Sequence, residues 1–308
     1  MRFFHKFCTI NYRFFGLVNN IMISVKRKTG NTKSIEYASK YAYILDDIKK
    51  IETSDKYPNK IWQLWFQGKD SVPPIIKKCT ETVEKFHGDR VIFLDNKNLF
   101  DYVELPDYII DKHKKGIITY ANLSDMIRMY LLAKYGGTWV DSTIYLTDKI
   151  PDTILNSEFF SFKTFQTNLL EGMNGIEDYK MYCNFFNYPF SLESSFFIHS
   201  KSGNELINGM LNLFFEYWKH ENSLCDYLLI DRFFALAVLY NENFKEQFLN
   251  MPYYSVENVH LMQEALLEKF DQKLFDQISA ITPIHKLTHK NLHRNAFKDS
   301  FLNKILEG

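Results

Sequence analysis

The chain predicts an α/β fold. Three features carry that expectation: segments of strand and helix character alternate along most of its length, several short runs are apolar at nearly every residue, and proline or glycine marks many of the breaks between them. Short, continuous apolar runs suit strands covered on both faces, and such strands belong to sheets with helices packed on either side. A core of that size is available, because 46% of the 308 residues are apolar, 17% are aromatic and only 24% are charged. This composition excludes a disordered or heavily solvated chain.

Taken in order, residues 35–51 repeat apolar positions at helical spacing. Pro58 then precedes Lys60-Ile-Trp-Gln-Leu-Trp-Phe, a β-rich stretch that predicts a first strand ending at Gly68. Pro73 and Pro74 predict a helix start, since proline fits the first turn, where its missing N–H is not needed, and the helix should run over 74–86. Arg90-Val-Ile-Phe-Leu-Asp95 reads as a second strand. Residues 99–115 suggest short helices and 120–135 one firm helix, while Thr138 to Tyr145 suggests a strand interrupted by polar residues. Farther on, Glu158–Phe165 and Ser194–His199 predict strands, and 203–219 and 226–240 amphipathic helices. Strand, helix, strand in succession implies a parallel sheet, and ligands of such sheets sit beyond the strand C-termini.

Two parts are expected, a basic arm over residues 1–40 and one catalytic domain over 41–308. Arg2, Lys6, Arg13, Lys26, Arg27, Lys28 and Lys33 fall among the first 33 residues without a single acid, although the whole chain balances 37 cations against 37 acids. Interleaved Phe3, Phe4, Phe7, Phe14, Phe15 and Ile21 give the arm the chemistry of an interfacial anchor, with rings at the headgroup layer and amines outside it. The apolar run Phe14–Val25 is broken by Asn19 and Asn20 and falls short of the roughly 20 residues that span a bilayer, so no crossing segment is expected. The balanced charge argues against nucleic acid as a partner. Cys8, Cys79, Cys183 and Cys225 are far apart, with neither a Cys-x-x-Cys pair nor zinc-site spacing, which fits a reducing cytoplasm. The expected location is the cytoplasm, peripheral on the inner face of the cell membrane.

The most informative stretch is Ala121 to Thr143. The helix over 120–135 is apolar nearly all round and should be buried, so Asp125 and Arg128 stand out, three residues apart on one side. Buried charges are costly unless paired with each other or bound to something charged, and both outcomes are open. Gly136-Gly137 should end the helix and launch a strand whose last residue, Asp141, meets the ligand crevice. There a carboxylate can ligate a divalent ion that bridges a nucleotide diphosphate, and Thr143 can add a hydroxyl.

Ser124-Asp125-x-x-Arg128 followed by Tyr135-Gly-Gly-x-x-x-Asp141 resembles the signature of the sugar-nucleotide glycosyltransferases with an Asp-x-Asp motif, glycosyltransferase family 32, and above all their capsular polysaccharide synthesis branch. The resemblance extends to Lys60-Ile-Trp-Gln-Leu-Trp-Phe-Gln-Gly68, Leu105-Pro-Asp-Tyr-Ile-Ile110, Tyr145-Leu-Thr-Asp-Lys-Ile-Pro151 and His285-Lys-Leu-Thr-His-Lys290, so it covers about residues 58–290. It implies a GT-A fold, a UDP-sugar donor carrying a hexose such as galactose, retention of anomeric configuration, and a lipid-linked oligosaccharide acceptor.

Residue by residue, the resemblance makes Trp65 the platform for the donor's base, Asp125 a holder of sugar hydroxyls, Arg128 a partner of sugar and phosphate oxygens, and Asp141 the acid of the metal motif. The second acid of that motif is Thr143 here, which weakens the case for the implied manganese or magnesium ion. His285 is a candidate third ligand, while Lys286 and Lys290 are candidates to neutralise phosphate. Glu193, Asp226 and Asp231 are possible acceptor-side acids. Two other classes compete: a metal-dependent nucleotide phosphotransferase or hydrolase, disfavoured by the lack of a Gly-x-x-x-x-Gly-Lys-[Ser/Thr] loop, and a non-catalytic carbohydrate- or membrane-binding scaffold.

Overall fold

A computed structural model describes residues 32–164, 172–173, 175–186, 192–290, 292 and 297–307. The basic aromatic arm lies outside them except for its last residues, which form helix α1 (Thr32–Ser39). Ile35 and Ala38 of α1 are buried in the main core, and Ser34 Oγ donates to Asp226 Oδ2 at 3.0 Å.

Five strands form the central sheet: β1 (Ile61–Leu64), β2 (Val91–Leu94), β3 (Gly137–Val140), β5 (Phe159–Lys163) and β6 (Glu193–Ser200), in the order β2-β1-β3-β6-β5. A separate two-stranded ribbon pairs β4 (Ile144–Leu146) with β7 (Ile284–Lys286). β1 is parallel to both β2 and β3, whereas β6 runs antiparallel to β3 and to β5. The sheet is therefore mixed: four strands point one way and β6 reverses, where strand-helix-strand succession implied parallel pairing throughout. Alternation of apolar residues reports which face a strand buries but not its direction.

The helices stop and start for local reasons. α2 (Pro74–His87) opens with proline in its first turn and ends at Gly88. It carries the chain from β1 to β2. α3 (Asp107–Lys114) and α4 (Tyr120–Tyr135) lead on to β3. At the start of α4, Thr119 Oγ1 accepts from Asn122 N at 3.3 Å, the usual service of a threonine N-cap. Gly136 and Gly137 then turn the chain directly into β3 with φ of 65° and 93°. Neither position has room for a side chain: a Cβ on Gly136 would stand 2.5 Å from Ser202 N, and one on Gly137 2.2 Å from Lys60 O. The close approach is what lets β3 pair beside β1, with Thr138 N donating to Lys60 O at 2.8 Å.

Side-chain parity divides the core between the two faces of the sheet. Trp62, Leu64, Trp139 and Ile198 point into the larger cluster, built with α4, α5 (Glu205–His220) and α6 (Leu229–Tyr240). Ile61, Val140, Phe160 and Phe197 point the other way, against Val83 of α2 and Ile144 and Leu146 of the ribbon. Much of the aromatic density between residues 159 and 197 is thus core packing, with Phe160, Phe162 and Phe197 in edge-to-face pairs. Arg232 and Asp226, both buried, form a structural ion pair of 2.9 Å between Nε and Oδ2. That pairing gives Asp226, read from the sequence as a possible acceptor-side acid, a structural role in the core.

From β1 the chain steps outward to β2 and then returns to the other side of β1 as β3. This reversal makes the C-terminal ends of β1 and β3 a topological switch point, the place where open α/β sheets receive ligands. Trp65 follows β1 directly and Asp141 follows β3 directly.

Candidate functional site

Arg128 is the centre of the site. It leaves the buried face of α4 only 5% exposed, and its guanidinium lies between two carboxylates: Nη2 is 3.5 Å from Asp125 Oδ1 and 3.4 Å from Asp141 Oδ1. Nη1 donates to the Ser195 carbonyl at 2.5 Å, and the guanidinium carbon is 4.9 Å from the centre of the Trp139 ring. Its buried Nε has no hydrogen-bond partner among the described residues. That Nε is closed off from solvent, so the open side of the site lies at Asp141 and Lys286, whose side chains are 26% and 20% exposed.

Ser195 can serve because the β5–β6 ladder is irregular there. Pairing runs regularly to Ser161 opposite Ile198, then jumps to Phe162 opposite Ser194. A bulge of this kind frees carbonyls from the ladder and re-aims them. Here the Ser195 carbonyl takes Arg128, and the Phe196 carbonyl accepts from Asp141 N at 2.9 Å.

Asp141 is held from three directions. Oδ1 accepts from Trp139 Nε1 at 2.8 Å and from Arg128, while Oδ2 accepts from Lys286 Nζ at 3.0 Å. Trp139 and Asp141 are two residues apart, so an extended backbone points both to one side. Burial by itself would push the Asp141 carboxyl up, but Lys286 and Arg128, together with the hydrogen bonds from Trp139 and Lys286, more than offset it and hold the group below the usual carboxylate range. Lys286 Nζ also donates to Thr143 Oγ1. Register explains the meeting: β4 and β7 pair with Ile144 opposite Lys286, and Leu287 N donates to Thr143 O at 3.0 Å.

Asp125 behaves in the opposite way to Asp141. Burial raises its carboxyl to about 7; Arg128 opposes the rise, and Asp141 and Asp231 add to it. Glu193, at the start of β6, is raised well above the usual range by burial and by the Asp231 and Asp125 charges, with Arg128 opposing, and neither of its oxygens has a hydrogen-bond partner among the described residues. The cluster therefore joins the Asp141 carboxylate, held low, and the Arg128 and Lys286 side chains to two acids, Asp125 and Glu193, that are pushed up.

The sign of the Asp125 effect gives a prediction. A carboxyl whose folded-state value lies above its unfolded value destabilises the fold as pH rises through the interval between them, here from about 4 to about 7. Asp125→Asn, which mimics the protonated acid, should match the wild-type protein in stability near pH 4. It should exceed it by a few kcal/mol at pH 8, as read by urea unfolding. Equal stability of the two proteins at pH 8 would show that Asp125 is not the strained acid described here.

A family model described as capsular polysaccharide synthesis protein matches residues 17–305. The chain belongs to that family. It is also 30% identical over 127 residues to an uncharacterized glycosyltransferase, L373, of Acanthamoeba polyphaga mimivirus. That similarity takes in 38% of this chain and 49% of the viral protein, so the chain spans about half the length of the relative it matches.

The capsular polysaccharide synthesis resemblance named Asp125, Arg128, Asp141, Thr143 and Lys286, and the structure brings these five together. Trp65 is half-buried at the end of β1, with its ring edge-on to His289 at 5.7 Å. Lys290 is exposed in the loop beyond β7. His285 is placed elsewhere. It is fully buried, its Nε2 is 3.1 Å from Thr147 Oγ1, and it sits on the face of β7 opposite to that of Lys286, because successive strand residues alternate. Burial lowers its imidazole to about 4. The structure therefore does not bring His285 to Asp141, and the expected metal set of Asp141, Thr143 and His285 is not assembled.

The residues that are assembled do not fit a divalent ion. One carboxylate and one hydroxyl would face it, and the ammonium of Lys286 already bonds to both. Among the described residues no group of three or more His, Cys, Asp or Glu side chains could hold a metal. Trp139 and the Ser195 carbonyl belong to the site and were not expected there; the Trp139-x-Asp141 spacing on a strand was the signal available for the first, and nothing local announces the bulge that supplies the second.

Proposed function

We propose that the protein is a retaining glycosyltransferase of GT-A architecture that moves a hexose, with galactose as the first candidate, from a UDP-sugar to a lipid-linked oligosaccharide during capsule or cell-surface polysaccharide assembly. The observation that carries this reading is the charged cluster at the C-terminal end of β3: the Arg128 guanidinium between the Asp125 and Asp141 side chains, with the Lys286 ammonium on the other oxygen of Asp141. Membership of the capsular polysaccharide synthesis family and similarity to a viral glycosyltransferase support the reaction class.

In this account the uracil ring lies against Trp65, the diphosphate meets Arg128 and Lys286, and the sugar hydroxyls reach Asp125. A protonated carboxyl there can donate to a hydroxyl as well as accept from one. In the transfer, the bond between the anomeric carbon and the leaving phosphate oxygen breaks, and its electron pair stays on that oxygen. The acceptor hydroxyl oxygen bonds to the anomeric carbon on the same face and passes its proton to the departing diphosphate. The protein's main contribution is fixed positive charge where negative charge builds up.

We place the acceptor at a membrane surface, with the part of the arm that precedes α1 as the anchoring element. Among the described residues no helix is long and apolar enough to cross a membrane.

The test is release of UDP from a panel of UDP-sugars by the purified full-length chain, with a short lipid-linked saccharide as acceptor. One sugar should be turned over in preference to the rest. Neither binding nor turnover of any UDP-sugar would rule the function out.

A further inference from the structure

Lys286 stands where a cation shared by Asp141 and Thr143 would stand. Its Nζ is 3.0 Å from Asp141 Oδ2, donates to Thr143 Oγ1, and lies 5.3 Å from the centre of the Phe196 ring. The remaining oxygen of Asp141 is taken by Trp139 and Arg128. A hard divalent ion seeks several oxygen ligands and a surplus of negative charge. This site offers it one carboxylate already neutralised by two cations, with a threonine where an Asp-x-Asp motif has its second acid and with His285 on the opposite face of the strand.

We infer that the Lys286 ammonium is the protein's own diphosphate-neutralising cation, replacing a divalent ion in the binding of a nucleoside diphosphate. The inference rests on the nucleotide-sugar function proposed above. An ammonium has three donors, and Asp141 and Thr143 occupy two, leaving the third for a phosphate oxygen. Asp141 serves as the clamp that orients both cations, and their combined charge exceeds its own, so the assembly attracts a dianionic diphosphate. An ion that must be captured from solution is thereby exchanged for one carried on β7, whose pairing with β4 sets its position.

Calorimetric titration of UDP into the full-length protein tests this, once in excess EDTA and once in excess manganese. The two dissociation constants should agree within about threefold, a difference below 1 kcal/mol. Lys286→Met should weaken UDP binding in EDTA by about 10- to 100-fold, the worth of one charge-assisted hydrogen bond, and Lys286→Arg should recover part of it. Thermal melting of both variants separates lost binding from lost fold, and the wild-type comparison needs no variant at all. Binding that appears only with manganese, or a Lys286→Met protein that folds and binds UDP like wild type, would overturn the inference and leave the proposed transferase standing. Absence of UDP binding in either buffer would overturn both.

Discussion

Asp141→Asn is expected to lower UDP-sugar turnover by roughly a thousandfold while the protein stays folded. The amide keeps the shape and can still accept from Trp139 Nε1, so the strand end and the indole should hold their places. What it removes is the negative charge that Lys286 approaches to 3.0 Å and Arg128 to 3.4 Å. Without that charge the two cations repel one another and lose their orientation toward the diphosphate. The same reasoning says that the variant should lose most in the chemical step, where charge on the leaving group is greatest, and less in ground-state binding. Single-turnover measurements with near-ultraviolet circular dichroism as a folding control check both points. A folded Asp141→Asn protein with wild-type turnover would remove Asp141 from the mechanism.

Gly137→Ala is expected to cost about 4 kcal/mol or more, enough to leave little soluble protein. Two penalties coincide. The residue has φ of 93°, which disfavours any side chain, and its Cβ would meet the Lys60 carbonyl at 2.2 Å. The carbonyl cannot withdraw, because it accepts from Thr138 N at 2.8 Å and anchors β3 to β1. Since Asp141 is delivered by that strand, any surviving protein should also be impaired at the site. Guanidinium unfolding of purified variant, or the yield of soluble protein if it cannot be purified, gives the answer. A stability within about 1 kcal/mol of wild type would mean that the two strands do not approach as closely as described.

The parts of the fold that are legible in the sequence are those decided locally. The helix expected over 120–135 forms over Tyr120–Tyr135, because Thr119 caps one end and the paired glycines close the other. The strand expected over 60–68 is shorter, Ile61–Leu64, although Trp65 N still donates to Leu94 O of β2 at 3.0 Å. The polar interruption expected between Thr138 and Tyr145 is real: Asp141, Ser142 and Thr143 separate β3 from β4, and two of them carry site groups.

Illegible features depend on partners distant in the chain. The reversal of β6 and its bulge follow from how β3 and β5 flank it, and no periodicity encodes that. Lys286 reaches Asp141 across 145 residues, a meeting set by the β4–β7 register. The contrast between His285 and Lys286 is instructive. Both are candidates for the site from the sequence, but in a strand neighbouring side chains face opposite ways, so only one of the two can reach Asp141. The ion pair between Asp125 and Arg128 forms as one of the two readings of the sequence had it, and Arg128 reaches Asp141 as well.

A crystal structure of the full-length protein soaked with UDP tests the central claim most directly. The account predicts the diphosphate within hydrogen-bond distance of Lys286 Nζ, with the uracil ring against Trp65. A nucleotide seated away from the ends of β1 and β3, with Arg128 and Lys286 still paired only to Asp125, Asp141 and Thr143, would contradict it.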